Sequence, residues 1–153
     1  MTVVILRDNP QNYDVKTLIE NHLAFARSET PLCHVFALLA EEIIDDDILF
    51  YSCRDGDELL GIGALRKIGD GHFEIKSMHT ALYARGNGVA QMMLDHLLEV
   101  ASQSGGNRVS LETGTSRGFR PARSLYEKSG FKVCEPYGEY SASTDNVCMT
   151  LAL

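Results

Sequence analysis

The chain has 153 residues, 44% of them apolar and 23% charged, a balance that excludes a disordered segment and suits one folded domain over residues 1–153. Its formal charge of −7 excludes a general nucleic-acid binder, which needs a basic footprint. No apolar run approaches the ~20 residues of a membrane helix and the first residues lack the basic region of a signal peptide, so a cytoplasmic protein with no membrane partner is expected.

Val3–Leu6 reads as a short strand closed by Asp8-Asn9-Pro10. Val15, Leu18, Ile19, His22, Leu23 and Ala26 then recur at helical spacing and predict an amphipathic helix. Pro31 marks a break, and a second helix is predicted from Val35 to Ile44. Asp45, Asp46 and Asp47 have no second carboxylate group at ligand spacing, so they predict a solvated loop and no metal site. Strands are predicted at Ile48–Cys53 and Leu59–Arg66, around the turn residues Asp55-Gly56-Asp57, and at Phe73–Thr80.

Val89, Ala90, Met93, Leu94, Leu97, Leu98 and Ala101 form the apolar face of a long helix that Gly105-Gly106 ends. A strand over Arg108–Thr113 and a short helix from Pro121 to Ser129 follow, with Gly130 as its stop. Strands at Phe131–Cys134 and Val147–Leu151 complete the order. Antiparallel hairpins interspersed with helices predict an α/β domain of the α+β type, with a mixed, largely antiparallel sheet of about seven strands and about four helices.

The cysteines, Cys33, Cys53, Cys134 and Cys148, are dispersed without a C-x-x-C pair and read as free thiols. Charge is uneven. Glu41, Glu42, Asp45, Asp46, Asp47, Asp55, Asp57 and Glu58 stand against Arg54 alone, which hints at a cationic acceptor or a solvated surface. Arg117, Arg120, Arg123 and Lys128 make a basic patch, suited either to an anionic cofactor or to a solvated helix face.

The segment Tyr83-Ala84-Arg85-Gly86-Asn87-Gly88-Val89-Ala90 lies between a strand and the long helix. Glycines there leave backbone N–H groups open, and the helix dipole adds partial positive charge, so the loop suits a phosphate or pyrophosphate. It is neither a P-loop, which needs Lys-Ser/Thr after the last glycine, nor a dinucleotide fingerprint, which needs glycine where Gln91 stands.

With its flanks, this segment resembles the pyrophosphate loop of the GNAT superfamily of N-acetyltransferases, Arg/Gln-x-x-Gly-x-Gly/Ala, through Arg85, Gly88 and Ala90. Ala122-Arg-Ser-Leu125-Tyr126-Glu-Lys-Ser-Gly130-Phe131 is similar to that family's later signature. Glu74–Met78, Ser110–Gly114 and Asn146–Thr150 look like a bacterial subgroup of small acetyltransferases whose substrates are poorly defined.

The resemblance implies a GNAT-like sheet, acetyl-CoA as co-substrate, and direct acetyl transfer to a primary amine of a small molecule or peptide. A homodimer is common in such families. It implies that the backbone at Met78, His79 and Thr80 pairs with the pantetheine arm and polarises the thioester carbonyl. Arg85 and the N–H groups of Gly86, Asn87, Gly88, Val89 and Ala90 would hold the pyrophosphate. Arg117, Arg120 or Arg123 would meet the remaining phosphate. Tyr126 would sit at the thioester sulfur as acid, and Glu74 would be the general base or else a strand-face carboxylate paired with Lys76. Glu112, His79 or a water chain are the other routes for the amine's proton. Where the family often has Asn, this chain has Phe119, which removes one contact to the coenzyme arm. A non-catalytic acyl-CoA-binding sensor or scaffold is the alternative reading.

Overall fold

The computed structural model describes residues 2–153; Met1, where the expected domain begins, lies outside the described residues. Strands β1 (Val3–Arg7), β2 (Ile48–Asp55), β3 (Glu58–Gly69), β4 (His72–Thr80), β5 (Arg108–Gly114), β6 (Lys132–Cys134) and β7 (Asn146–Ala152) make a seven-stranded sheet. Their order is β1-β2-β3-β4-β5-β7-β6, and only β4 and β5 pair in parallel. Helices α1 (Tyr13–Glu29), α2 (Ala40–Ile43), α3 (Val89–Gln103) and α4 (Arg120–Lys128) accompany it. This is the mixed, largely antiparallel architecture expected from the sequence.

The apolar stripe of α3, with Val89, Met93, Leu94, Leu97 and Ala101 buried, packs against β3. Two glycines of β3 permit a close approach. A Cβ at Gly63 would stand 2.7 Å from Met93 Cγ, and one at Gly61 would stand 2.9 Å from Val89 Cγ1. Both are below the separation that packed side chains tolerate, so these positions set how low the first turn of α3 sits on the sheet.

The helix expected from Val35 to Ile44 is the main departure. Only Ala40–Ile43 is α-helical; Leu32–His34 form one 3-10 turn, and residues 35–39 carry no regular element, with Val35 and Leu39 extended. The carbonyls that a helix would need are taken by distant side chains. Asn146 Nδ2 donates to the His34 carbonyl at 3.0 Å, and Lys76 Nζ donates to that of Phe36 at 3.1 Å. Leu39 N–H donates instead to Glu42 Oε1 at 2.8 Å, which starts the helix late. Tertiary bonds override an apolar periodicity that does not by itself fix the backbone.

Strands β4 and β5 separate early. Their pairing covers only His72–Glu74 with Arg108–Ser110, although β4 continues to Thr80 and β5 to Gly114. The cause lies in β4. Its register against β3 passes from Ala64↔Lys76 to Ile62↔His79, so three steps along β4 oppose two along β3. The extra residue is a bulge, and Ser77 there has a φ of 57°, a left-handed conformation uncommon for a residue with a side chain. The bulge bends β4 away from β5 and opens a gap in the sheet.

Candidate active site

That gap is the inner end of a cleft of about 480 Å³, a volume typical of small-ligand sites. Its walls come from α1, the segment before α2, the end of β4, the start of α3, β5 and α4.

At one end lies the glycine loop. Gly86 (φ 80°) and Gly88 (φ 78°) are left-handed, and Gly88 caps α3 without a side-chain bond. Asn87 Nδ2 donates to the carbonyls of Ala84 and Arg85, both at 3.2 Å, which folds the loop back on itself. Among the described residues, no group accepts from the N–H of Gly86, Asn87, Gly88, Val89 or Ala90. A run of open donors at the positive end of a fifteen-residue helix is a strong anion site. Gly86, Gly88, Val89, Ala90 and Arg85 line the cleft; Asn87 does not and serves the loop's shape.

Met78, His79 and Thr80 also line the cleft, at the strand end freed by the bulge. His79 Nδ1 lies 3.2 Å from His22 Nδ1, so one ring donates to the other. Burial above all drives both rings to the neutral form: His79 is held down to about 4, with the Arg85 charge adding to the effect. His22 is held down to about 3, with charge on His79 and Lys76 contributing. Both rings are therefore neutral near pH 7 and engage each other through Nδ1.

Tyr126 is buried in the cleft wall, 7% exposed, with its ring against Phe131 at 5.8 Å. Among the described residues, none hydrogen-bonds its hydroxyl. Burial, followed by the negative charge of Glu112, pushes its pKa up to about 12. The phenol is therefore neutral and donor-competent throughout the physiological range.

Glu74 is placed elsewhere. It has no exposed surface, and it does not line the cleft. One carboxylate oxygen accepts from Arg66 at 2.6 Å, and the other accepts from the hydroxyls of Tyr137 at 2.6 Å and Tyr140 at 2.8 Å. Burial, followed by the Glu74 carboxylate, pushes both phenols well above their ordinary range. Buried, accepting from three donors and outside the cleft lining, Glu74 fits the strand-face carboxylate of the two sequence readings, paired with Arg66 and two tyrosines instead of Lys76.

The carboxylate that does line the cleft is Glu112, alone among the described residues. Burial raises its pKa, against the opposing influence of Asn146, which donates to it, and of the Lys76 charge. Lys76 also lines the cleft; burial lowers its pKa, and its Nζ donates to Tyr140 Oη at 2.8 Å. None of the acids of the 40–58 segment lines the cleft. Of the arginines considered for the last phosphate, Arg123 is engaged, donating to the carbonyls of Gly114 and Ser116 at 2.8 and 2.9 Å. Arg117 and Arg120 are exposed outside the cleft. Phe119 packs edge-on against Phe25 at 5.0 Å and closes the wall where the family often places a polar side chain.

Sequence reasoning missed His22, His34, Lys76 and Asn146, all of which line the cleft. Their partners lie 34 or more positions away along the chain, so no local spacing marks them.

The acetyltransferase (GNAT) family model matches residues 15–131. The uncharacterized N-acetyltransferase YsnE of Bacillus subtilis is 40% identical over 146 residues, covering 95% of this chain and 97% of that one. The uncharacterized N-acetyltransferase YedL of Escherichia coli is 37% identical over 139 residues, covering 91% and 87%. A Bacillus subtilis acetyltransferase solved in complex with CoA has the same fold, with a TM-score of 0.74 at 20% identity over 99% of each chain. The chain belongs to the acetyltransferase (GNAT) family and is an acyltransferase.

Proposed function

We propose that this enzyme transfers the acetyl group of acetyl-CoA directly to a primary amine of a small molecule or peptide, within a ternary complex. One observation carries the reading: the unpartnered amides from Gly86 to Ala90 open onto the same cleft as the free hydroxyl of Tyr126. The amides and Arg85 take the pyrophosphate, and the arm runs along the end of β4 that the bulge frees. The thioester then lies between Met78 and Tyr126.

The amine nitrogen attacks the thioester carbon; the C–N bond forms, the C–S bond breaks, and the electron pair leaves on sulfur. Tyr126 donates its phenolic proton to that sulfur. Direct transfer is supported by the thiols: among the described residues no cysteine lines the cleft, so none is placed to carry the acetyl group. Glu112 faces the acceptor as the cleft's carboxylate and attracts its ammonium.

The test is CoA release from acetyl-CoA across a panel of primary amines, with acetyl-CoA binding measured by calorimetry. Turnover with at least one amine is expected. Absence of both turnover and binding would refute the reading.

A further inference from the structure

We propose that His34, oriented by Asp145, is the general base that takes the proton of the acceptor amine, an assignment that rests on the acetyl-transfer reading above. His34 Nδ1 and Asp145 Oδ2 are 2.6 Å apart, and Ser143 Oγ lies 3.3 Å from the same nitrogen. An imidazole that donates through Nδ1 to a carboxylate has its lone pair on Nε2. His34 lines the cleft and Asp145 does not; with Nδ1 turned to Asp145, Nε2 is the ring nitrogen left to meet a ligand. Among the described residues nothing hydrogen-bonds Nε2, and it is not sealed from solvent.

The dyad is close to the chemistry. Asn146 Nδ2 donates both to the His34 carbonyl and to Glu112, and the charge of Glu112 is felt by Tyr126. The charged groups around the ring are Asp145 at Nδ1, Glu112 across Asn146, and Lys76, whose Nζ holds the carbonyl of Phe36 two residues on. Side chains of His34 and Asp145 are 35% and 34% exposed, which lets a proton pass from the ring to water.

The protons balance. An alkylammonium carries a pKa of about 10.4 and no lone pair, so it gives one proton to Nε2 before attack. The imidazolium is held by Asp145 and releases that proton to solvent. The second proton leaves nitrogen as the C–N bond forms and restores Tyr126 after the phenol has protonated sulfur. His34 is the catalytic residue of the pair, and Asp145 positions it.

Two probes need no identified acceptor. The first is 15N NMR of the histidine rings in the wild-type protein bound to CoA, where His34 is expected as the Nδ1–H tautomer. The second is hydrolysis of acetyl-CoA, with water as acceptor, run beside the amine panel. His34→Gln should lower kcat by about 10², the lower end for a positioned base. Its KM for acetyl-CoA should stay within about twofold, because KM unaffected by loss of the base separates chemistry from binding. The ascending acid limb of kcat/KM should disappear, and added imidazole should restore rate to His34→Ala. Asp145→Asn should lower kcat less and displace that limb.

The assignment is overturned by an Nε2–H tautomer, by an unchanged limb in His34→Gln, or by loss of the limb in Glu112→Gln instead. Acetyl-CoA binding without hydrolysis or amine turnover also overturns it, as it removes the reaction the base would serve. Failure of the wild type to bind acetyl-CoA marks the different result, that the acetyl-transfer reading itself is wrong.

Discussion

Lowering the pH from about 7 to about 4.5 perturbs one buried contact of this fold, the His22–His79 pair, before it reaches the carboxylates. Both rings are neutral in the folded chain because burial disfavours their charged forms, and their nitrogens meet at 3.2 Å. In the unfolded chain each takes a proton near the ordinary 6.5, whereas the folded His79 resists until about 4. The unfolded state therefore binds more protons in this window. Stability is complete above about 6.5, falls as the pH drops through about 4 for His79 and about 3 for His22, and levels off below.

A displacement of that span at about 1.4 kcal/mol per unit gives about 3 kcal/mol from His79 alone, with His22 acting in the same direction. That is a large share of a stability of roughly 5–15 kcal/mol. His72 and His96, both lowered by burial, add to the decline in the same window, whereas the carboxylates act elsewhere or oppositely. Asp8 and Asp14 are lowered below 3.8 by contacts that include Arg54, so their contribution is lost only at lower pH. Glu112 is raised above 4.5 and gains stability on acidification. Urea unfolding at several pH values, for the wild type, His22→Gln and His79→Gln, measures the slope. Each variant should show a shallower decline than the wild type, with the part due to His72 and His96 retained. Slopes in both variants equal to the wild type would refute the argument.

Tyr126→Phe should lower kcat by about 10² while leaving KM for acetyl-CoA within about twofold; equal loss in both would make the ring a packing residue. Gly88→Val meets no atom within 4 Å, so its effect comes from forcing a β-branched residue into a φ of 78° and from bulk before the open amides. Calorimetry should report at least tenfold weaker CoA binding, with about 1–2 kcal/mol of lost stability. Glu74→Gln leaves Arg66 without its carboxylate and should cost about 2–3 kcal/mol in denaturant unfolding. Its kcat per folded molecule should match the wild type.

What the sequence made legible is what is local. The phosphate loop is set by contiguous residues, Arg85 to Ala90, whose glycines and helix start can be read without knowing the fold. The same holds for α4, with Pro121 near its start and Gly130 after its end. The segment before α2 was illegible because its backbone is held by Lys76 and Asn146 and its His34 ring by Asp145, residues brought there by β4 and the approach to β7. The bonding of Glu74 could not be read for a related reason. Its partners Tyr137 and Tyr140 come from a stretch after β6 that carries no regular element and no periodicity. The bulge at Ser77 is marked by no glycine or proline, so the local sequence gave no sign that β4 leaves β5 there.

The two halves of the cleft consequently rest on different physics. The donor half uses backbone: amides freed by Gly86 and Gly88, and a strand end freed by a register shift. Backbone groups survive most side-chain changes, so this half should tolerate substitution well. On the proposed reading, the acceptor half is made of side chains, His34, Lys76, Glu112 and Asn146, carried by the segment before α2 and by strands that converge only after folding. Substitutions in the stretches before α2 and between β6 and β7 should therefore change which amine is accepted while leaving acetyl-CoA affinity intact. Exchanging residues 31–39 for those of a relative, then comparing acceptor profiles at equal acetyl-CoA affinity, separates the halves. A joint loss of both would mean that the cleft acts as one inseparable unit.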